Sequence, residues 1–309
     1  MRIIVALGGN ALLRRGEPIS AAAQHTNVRI AAQSMADLAR DHQIIVAHGN
    51  GPQVGLMALQ AASYDPTSPW PLDVLGAETE GMIGYLIEQE LMNALPLGAE
   101  CATLLTRVEV DTLDPAFANP TKPIGPVYTA AQAKALDWPM VDLGDGGMRR
   151  VVPSPLPQKI LGLRAIRLLV DAGICVICSG GGGIPVMQGN DGGMDRVEAV
   201  IDKDRTAALL ASALRADVLL MLTDVEAIFT DWGGPAQQAI SDITPDAIEK
   251  LAFQAGSMAP KVASACDFIR AGGIMAGVGR LSDASAILEG RAGSRITASG
   301  HMRSPPIGD

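Results

Sequence analysis

The residues best equipped for chemistry lie between 174 and 205. An apolar run, Ile174–Cys178, empties into Ser179-Gly-Gly-Gly-Gly183-Ile-Pro185, and a second, Glu198–Ile201, ends in Asp202-Lys203-Asp204. A β-branched run followed at once by glycines predicts a buried strand that opens into a loop whose backbone is approached closely. Asp202 stands as N-cap of a helix over 203–214, so free N–H groups, the positive end of a helix dipole and the Lys203 ammonium converge beside the glycines. That combination describes a phosphate site.

Two other glycine loops repeat the pattern. The short run Arg2–Leu7 gives way to Gly8-Gly9-Asn10-Ala11-Leu12, either a loop whose N–H groups face a substrate oxygen or a plain tight turn. A strand over 43–47 ends in His48-Gly49-Asn50-Gly51, with Pro52 at the first turn of the following helix. His48 beside a glycine turn reads as a hydrogen-bonding prop rather than a base. Gly256-Ser-Met-Ala-Pro-Lys261 opens a helix near the carboxyl end and puts Lys261 in its first turn. No Gly-Lys-Ser/Thr follows a glycine loop, Pro185 breaks any Gly-x-Gly-x-x-Gly, and no Gly-x-Ser-x-Gly or Ser/His/Asp arrangement is present. Glycine loops plus lysines at helix starts suit phosphoryl transfer, in which catalysis is mostly positioning and charge neutralisation. A carboxylate or carbamate acceptor is already ionised at neutral pH, so the lack of a candidate base is no obstacle.

Strands must alternate with helices to hold such loops on one rim. Helical periodicity covers 21–40, 54–62, 72–94, 159–172, 203–214 and 262–270, with a capped helix start at Thr244-Pro245-Asp246. Strands are expected at 99–105, 174–178, 218–222, 274–278 and 294–297. Between 111 and 157 the chain is studded with prolines, too long for an ordinary connection, and reads as an inserted lid or small subdomain. From spacing alone Lys122, within that segment, is a solvated surface lysine. The 299–309 tail has no periodicity and reads as disordered.

The 309 residues, 48% of them hydrophobic, suffice for one large α/β domain or two small ones. A net charge of −9 with 3% aromatics and no basic run gives no support to nucleic-acid binding. No run approaches the roughly 18 apolar residues of a membrane span, and Ile3–Leu7 is too short for a signal peptide, so the expectation is a cytoplasmic protein. Cys101, Cys175, Cys178 and Cys266 form no metal pattern and read as free thiols.

Taken in order, Gly8-Gly-Asn-Ala-Leu12, His48-Gly-Asn-Gly-Pro-Gln-Val-Gly55, Lys122-Pro-Ile-Gly-Pro126, Val152-Pro-Ser-Pro155, Ser179-Gly-Gly-Gly-Gly-Ile-Pro185, Glu198-Ala-Val-Ile-Asp-Lys-Asp204 and Gly256-Ser-Met-Ala-Pro-Lys261 resemble the carbamate kinases of the amino acid kinase superfamily. The resemblance implies an α/β fold, an open αβα sandwich around a mainly parallel sheet of about eight strands, and a homodimer. It implies reversible phosphoryl transfer between ATP and carbamate, with ADP and carbamoyl phosphate on the other side, in arginine or allantoin catabolism. Mg²⁺ is implied as a cofactor carried chiefly by the nucleotide phosphates. By position, Gly8, Gly9 and Asn10 are expected at the transferring phosphoryl group, and Gly49, Asn50 and Gly51 at the carbamate. Gly181 and Gly182 are expected to line the same phosphoryl and carbamate site. Lys203 and Lys261 are expected at the γ-phosphate with Asp202 fixing their ammonium groups, and Lys122 is brought in from the lid. Thr223, Asp224, Val225, Phe229, Ser257 and Met258 are the implied nucleotide contacts. An acetylglutamate- or aspartate-type kinase and a non-catalytic nucleotide-binding relic are the alternatives, which the lid motif and the intact lysines disfavour.

Overall fold

The computed structural model describes residues 1–13, 17, 20–65, 67–136, 138–144, 146–189, 191–251, 253 and 258–299; the side chains of Asn10 and Ala11 lie outside that description. The expected nucleotide contact Ser257 and the tail from 300 onward also lie outside it.

One sheet organises the molecule. Its strands are β1 Arg2–Leu7, β2 Gln43–His48, β3 Cys101–Leu104, β4 Cys175–Cys178, β5 Val218–Thr223, β6 Asp242–Ile243, β7 Met275–Arg280 and β8 Ser294–Ile296, in the order β6-β8-β7-β5-β1-β2-β4-β3. The six from β7 to β3 run parallel, while β8 pairs antiparallel with β7 and parallel with β6, so the last two strands on that edge are reversed. The longer helices are α1 Ala21–Ala39, α2 Gly51–Tyr64, α3 Leu72–Ala94, α4 Leu163–Asp171, α5 Lys203–Ala213 and α6 Met258–Arg270.

Period-two alternation splits the core between two faces. Ile4, Ala6, Ile45, Ala47, Val176, Leu219 and Met221 join side chains of α4, α5 and α6 in one cluster. Ile3, Val5, Leu7, Ile44, Val46, Ile177 and Leu220 join those of α1 and α3 in the other. Burial on both faces, about 1.5–3 kcal/mol for each large apolar side chain, is why the strands read as unbroken apolar runs. The result is the αβα sandwich expected from the sequence, and the three glycine-bearing strand ends, after β1, β2 and β4, lie at carboxyl ends of adjacent parallel strands.

The proline-studded stretch holds more regular structure than its composition suggests. Lys122–Thr129, Gly147–Val152 and Met140–Asp142 form a three-stranded antiparallel sheet joined by the short helix Ala130–Ala135. Lys122–Thr129 tolerates its prolines because it is an edge strand, and Pro126 falls in the register shift between Ile124 and Tyr128, where a missing N–H costs no ladder bond. Beside it, Met194–Arg196, Ile184–Gln188, Arg107–Val110 and Pro157–Ile160 make a four-stranded sheet. This corrects the expected 159–172 helix: Pro157–Ile160 is a strand paired antiparallel with Arg107–Val110, and helix α4 begins only after Gly162, whose φ of 77° breaks the path.

Candidate active site

The amino end of α5 anchors the site. The Asp202 carboxylate accepts the N–H of Asp204 at 2.9 Å and of Arg205 at 3.3 Å, capping the helix as its position predicts. Its other oxygen accepts Lys122 Nζ at 2.8 Å. Asp204, in the first turn, is buried and holds both remaining lysines: Lys203 Nζ lies 2.6 Å from Oδ1 and Lys261 Nζ 2.8 Å from Oδ2. The expectation that Asp202 fixes Lys203 and Lys261 is therefore corrected. Asp202 is occupied by backbone amides and Lys122, whereas Asp204 stands between α5 and α6 with one oxygen toward each ammonium.

Burial and charge oppose each other here. Desolvation would raise the Asp204 carboxyl, but Lys203 and Lys261 outweigh it and hold it below its usual value. Desolvation would likewise raise Asp202, yet Lys122 and Lys203 hold it well below the ordinary carboxylate range. Burial brings Lys203 down to about 8, only partly countered by Asp204. Lys261 is also desolvated, but Asp204 overcomes the loss and its pKa is raised. The two lysines diverge because they share one carboxylate and repel each other, so the first to give up its proton is Lys203. Three ammonium groups against two carboxylates leave a net positive pocket suited to an anion.

The glycine loops close around this cluster. A β-carbon at Gly49 would stand 3.0 Å from Gly9 N and 3.3 Å from Lys203 Cδ, which brings the ends of β1, β2 and the start of α5 to one point. Gly181, Gly182 and Gly183 all have positive φ, of 67°, 96° and 87°, which an L side chain rarely adopts. Thr206 of α5 donates to Gly182 O at 2.8 Å and ties that loop to the helix bearing Lys203. Gly8 donates its N–H to Leu222 O at 2.7 Å, next to Thr223 at the end of β5. Gly51 opens α2, and Asn50, its N-cap residue, gives its side-chain N–H₂ to Thr79 Oγ1 at 2.9 Å.

Of the expected nucleotide residues, those described fall at and after the end of β5 and at the start of α6. Thr223 is buried and bonds Asp224 at 3.0 Å, Val225 follows, and the Phe229 ring packs on Trp232 with centroids 5.1 Å apart. Met258 begins α6, packs against the core and starts the turn that carries Lys261. His48 is fully buried, its ring lowered to about 4 by desolvation, so it is neutral and shut away from solvent, as a prop would be.

Sequence reading passed over four side chains that build the site. Asp204 stood within a quoted motif but received no role. Thr79 and Glu80 on α3 bond the glycine loops, and Thr106 accepts the Ser179 N–H at 3.0 Å. The available signal was polarity on an otherwise apolar stripe, since Thr79 continues the buried series Leu75, Ile83, Ile87 and Leu91.

Comparison with known proteins gives the family. The sequence profile of the amino acid kinase family matches residues 1–278. A carbamate kinase of Haemophilus influenzae is 54% identical over 301 residues, covering 96% of this chain and 97% of its own length. One from Rhizobium meliloti is 52% identical, covering 97% and 94%. Carbamate kinase from Giardia lamblia, solved bound to AMP-PNP, superposes with a TM-score of 0.87 at 38% identity, covering 96% of this chain and 98% of that one. The chain belongs to the amino acid kinase family and, within it, to the carbamate kinases.

Proposed function

We propose that this protein transfers a phosphoryl group reversibly between ATP and carbamate, running as ADP plus carbamoyl phosphate to ATP plus carbamate when that is the direction of supply. The observation that carries the reading is the cluster of Lys122, Lys203 and Lys261 on two carboxylates at the mouths of three glycine loops. In this reading Gly8, Gly9 and Asn10 receive the transferring group, while Gly49, Asn50 and Gly51, with Gly181 and Gly182, enclose the carbamate. The nucleotide lies along Thr223–Phe229, Ser257 and Met258, consistent with the nucleotide analogue bound by the Giardia relative.

Carbamate attacks as an anion, so no proton need be removed, and buried neutral His48 is not required as a base. Lys203 and Lys261 supply positive charge to the phosphoryl oxygens as negative charge spreads over them in the transition state. Asp204 keeps the two ammonium groups charged and aimed. Lys122 is the movable cation: it rests on Asp202, on a strand that belongs to the small sheet rather than to the main one, and can turn to the substrate. Both oxygens of Asp202 and Asp204 are taken up by amides and lysines, which fits Mg²⁺ held by the nucleotide phosphates instead of by protein carboxylates. Such an ion neutralises phosphate charge.

A homodimer and a cytoplasmic location complete the reading. Met82, Tyr85 and Met92 form an exposed apolar row on α3 beside exposed Leu105 and edge strand β3, a surface suited to a second copy. Among the described residues no helix is long and apolar enough to cross a membrane. The deciding measurement is ATP formed from ADP and carbamoyl phosphate in a coupled assay, with acetyl phosphate and acetylglutamyl phosphate as controls. ATP from carbamoyl phosphate alone is expected; ATP only from acetylglutamyl phosphate would move the protein to another branch of the family.

A further inference from the structure

We propose that Thr79 and Glu80, consecutive on α3, are positioning residues that set two of the glycine loops at their working separation. The proposal deepens the function given above and rests on it for the identity of the loops' ligands.

Thr79 and Glu80 reach different loops from one turn of one helix. Thr79 Oγ1 accepts the Asn50 side-chain N–H at 2.9 Å and donates back to Leu75 O at 2.8 Å, so its hydroxyl is oriented before Asn50 arrives. Asn50 is then pressed against the second loop, for a β-carbon on Gly181 would fall 2.3 Å from its Nδ2. Glu80, 1% exposed, accepts Gly180 N–H at 2.8 Å on one oxygen and Thr106 N–H at 3.2 Å on the other. Thr106 in turn takes the Ser179 N–H, so the first two amides of the loop after β4 are both fixed through this network. His48 and the Glu80 stem occupy the space where a side chain on Gly180 would go, at 2.3 Å and 2.8 Å.

The bonding pattern has a functional result. Gly182 and Gly183 give their N–H groups to Ser179 O and Gly180 O, and Gly180 gives its own to Glu80. Among the described residues, Gly181 is the one glycine of the four whose N–H takes no protein acceptor. Glu80 and Thr79 thus hold the loop with the Gly181 amide left to a ligand, next to the Asn50 side chain. A buried carboxylate bonded to two backbone amides costs desolvation that a leucine would avoid, and the low polarity around it pushes its pKa up to about 8. An apolar residue would pack here but would leave two buried N–H groups without acceptors.

Thr79→Val and Glu80→Leu test this, with Glu80→Gln as the conservative partner and Ile83→Ala, an apolar core residue on the same buried stripe, as a control. Hydrogen exchange of the segments 48–53 and 176–186 is read in the free proteins, and kcat and KM for carbamoyl phosphate in the assay above. Thr79→Val and Glu80→Leu should accelerate exchange in those segments. They should lower kcat on the order of 10- to 100-fold, the scale of a misplacement near 1 Å, with ADP affinity changed less than threefold. Glu80→Gln, which keeps an acceptor for one amide, should fall between, and Ile83→Ala should cost stability while leaving loop exchange and kcat near those of the parent. Unchanged exchange in both loop variants, or equal losses in Ile83→Ala, would overturn the proposal. Exchange effects without any ATP formation by the parent protein would leave the positioning role standing and refute the proposed reaction instead.

Discussion

At the scale of single residues, one carboxylate, Asp204, sets the charge state of two lysines, and the consequences can be measured. Lys203→Ala and Lys261→Ala should each leave a folded protein with turnover reduced on the order of 10²–10³-fold, as when one preorganised donor is removed from an oxyanion site. Steady-state rates near those of the parent would take that lysine out of the mechanism. Lys203, lowered by burial to about 8, is the group that neutralises first in the empty site. The profile of kcat/KM, which reports the free enzyme, should therefore fall as pH rises through about 8. A flat profile to pH 9 would assign the charge elsewhere. Glu80 gives a pH dependence to stability instead of rate. Its proton leaves the unfolded chain near the ordinary 4.5 but stays on the folded protein to about 8, so the folded state binds more protons in that interval. The stability this contributes is complete below pH 4.5 and is lost as pH rises to 8. Urea unfolding of parent and Glu80→Gln at pH 5, 6.5 and 8 should show the parent losing ground to the variant; a constant difference would mean an ionised carboxylate throughout.

At the scale of elements, the strand Lys122–Thr129 sits on α2 through a contact with no room for a side chain. A β-carbon on Gly55 would lie 2.0 Å from Gly125 Cα, and backbone cannot yield as a flexible side chain can. Lys122 ties this strand to the lysine cluster through Asp202, a pair that the proposed reaction would have a bound phosphoryl group replace. Gly55→Ala would gain helix propensity of about 1 kcal/mol on its own element, yet should displace the strand Lys122–Thr129. Faster hydrogen exchange over 122–129 and a raised KM for carbamoyl phosphate are expected, with α3 and the main sheet unchanged. Lys122→Ala should weaken use of carbamoyl phosphate more than it weakens ADP binding. If calorimetry gave equal losses for both, the segment would be a structural insertion and not a working lid.

At the scale of the molecule, a long parallel sheet leaves an edge that has to be managed. Strand β3 forms that edge, and the exposed Met82, Tyr85 and Met92 of α3 flank it, so the helix that turns Thr79 and Glu80 inward turns an apolar row outward. Covering that row with a second copy would stiffen the helix that holds both loops. Tyr85→Asp combined with Met82→Asp should give a monomer by sedimentation velocity, because charge at the centre of an apolar interface costs far more than at its rim. A species of unchanged mass would place the subunit contact on a different face.

Much of this architecture is written in local patterns. The apolar strand runs, the helix spans 21–39 and 72–94, the Asp202 cap and the glycine loops after strands depend on neighbours in the chain, so periodicity and capping chemistry reveal them. The family resemblance rests on the same short stretches. What local pattern could not decide was pairing. Strands Arg107–Val110 and Pro157–Ile160 are too short and too interrupted to be recognised without each other, and the helical period that runs on from Lys159 misled because only a distant partner makes those residues a strand. The same limit separates Asp202 from Asp204. Both lie in one tripeptide, and which of them meets Lys261 depends on how α5 and α6 cross, a relation set by packing 57 residues apart in the chain. Glu80 was hidden for a related reason: a carboxylate in an apolar stripe has meaning only once the amides of Thr106 and Gly180 have been folded against it.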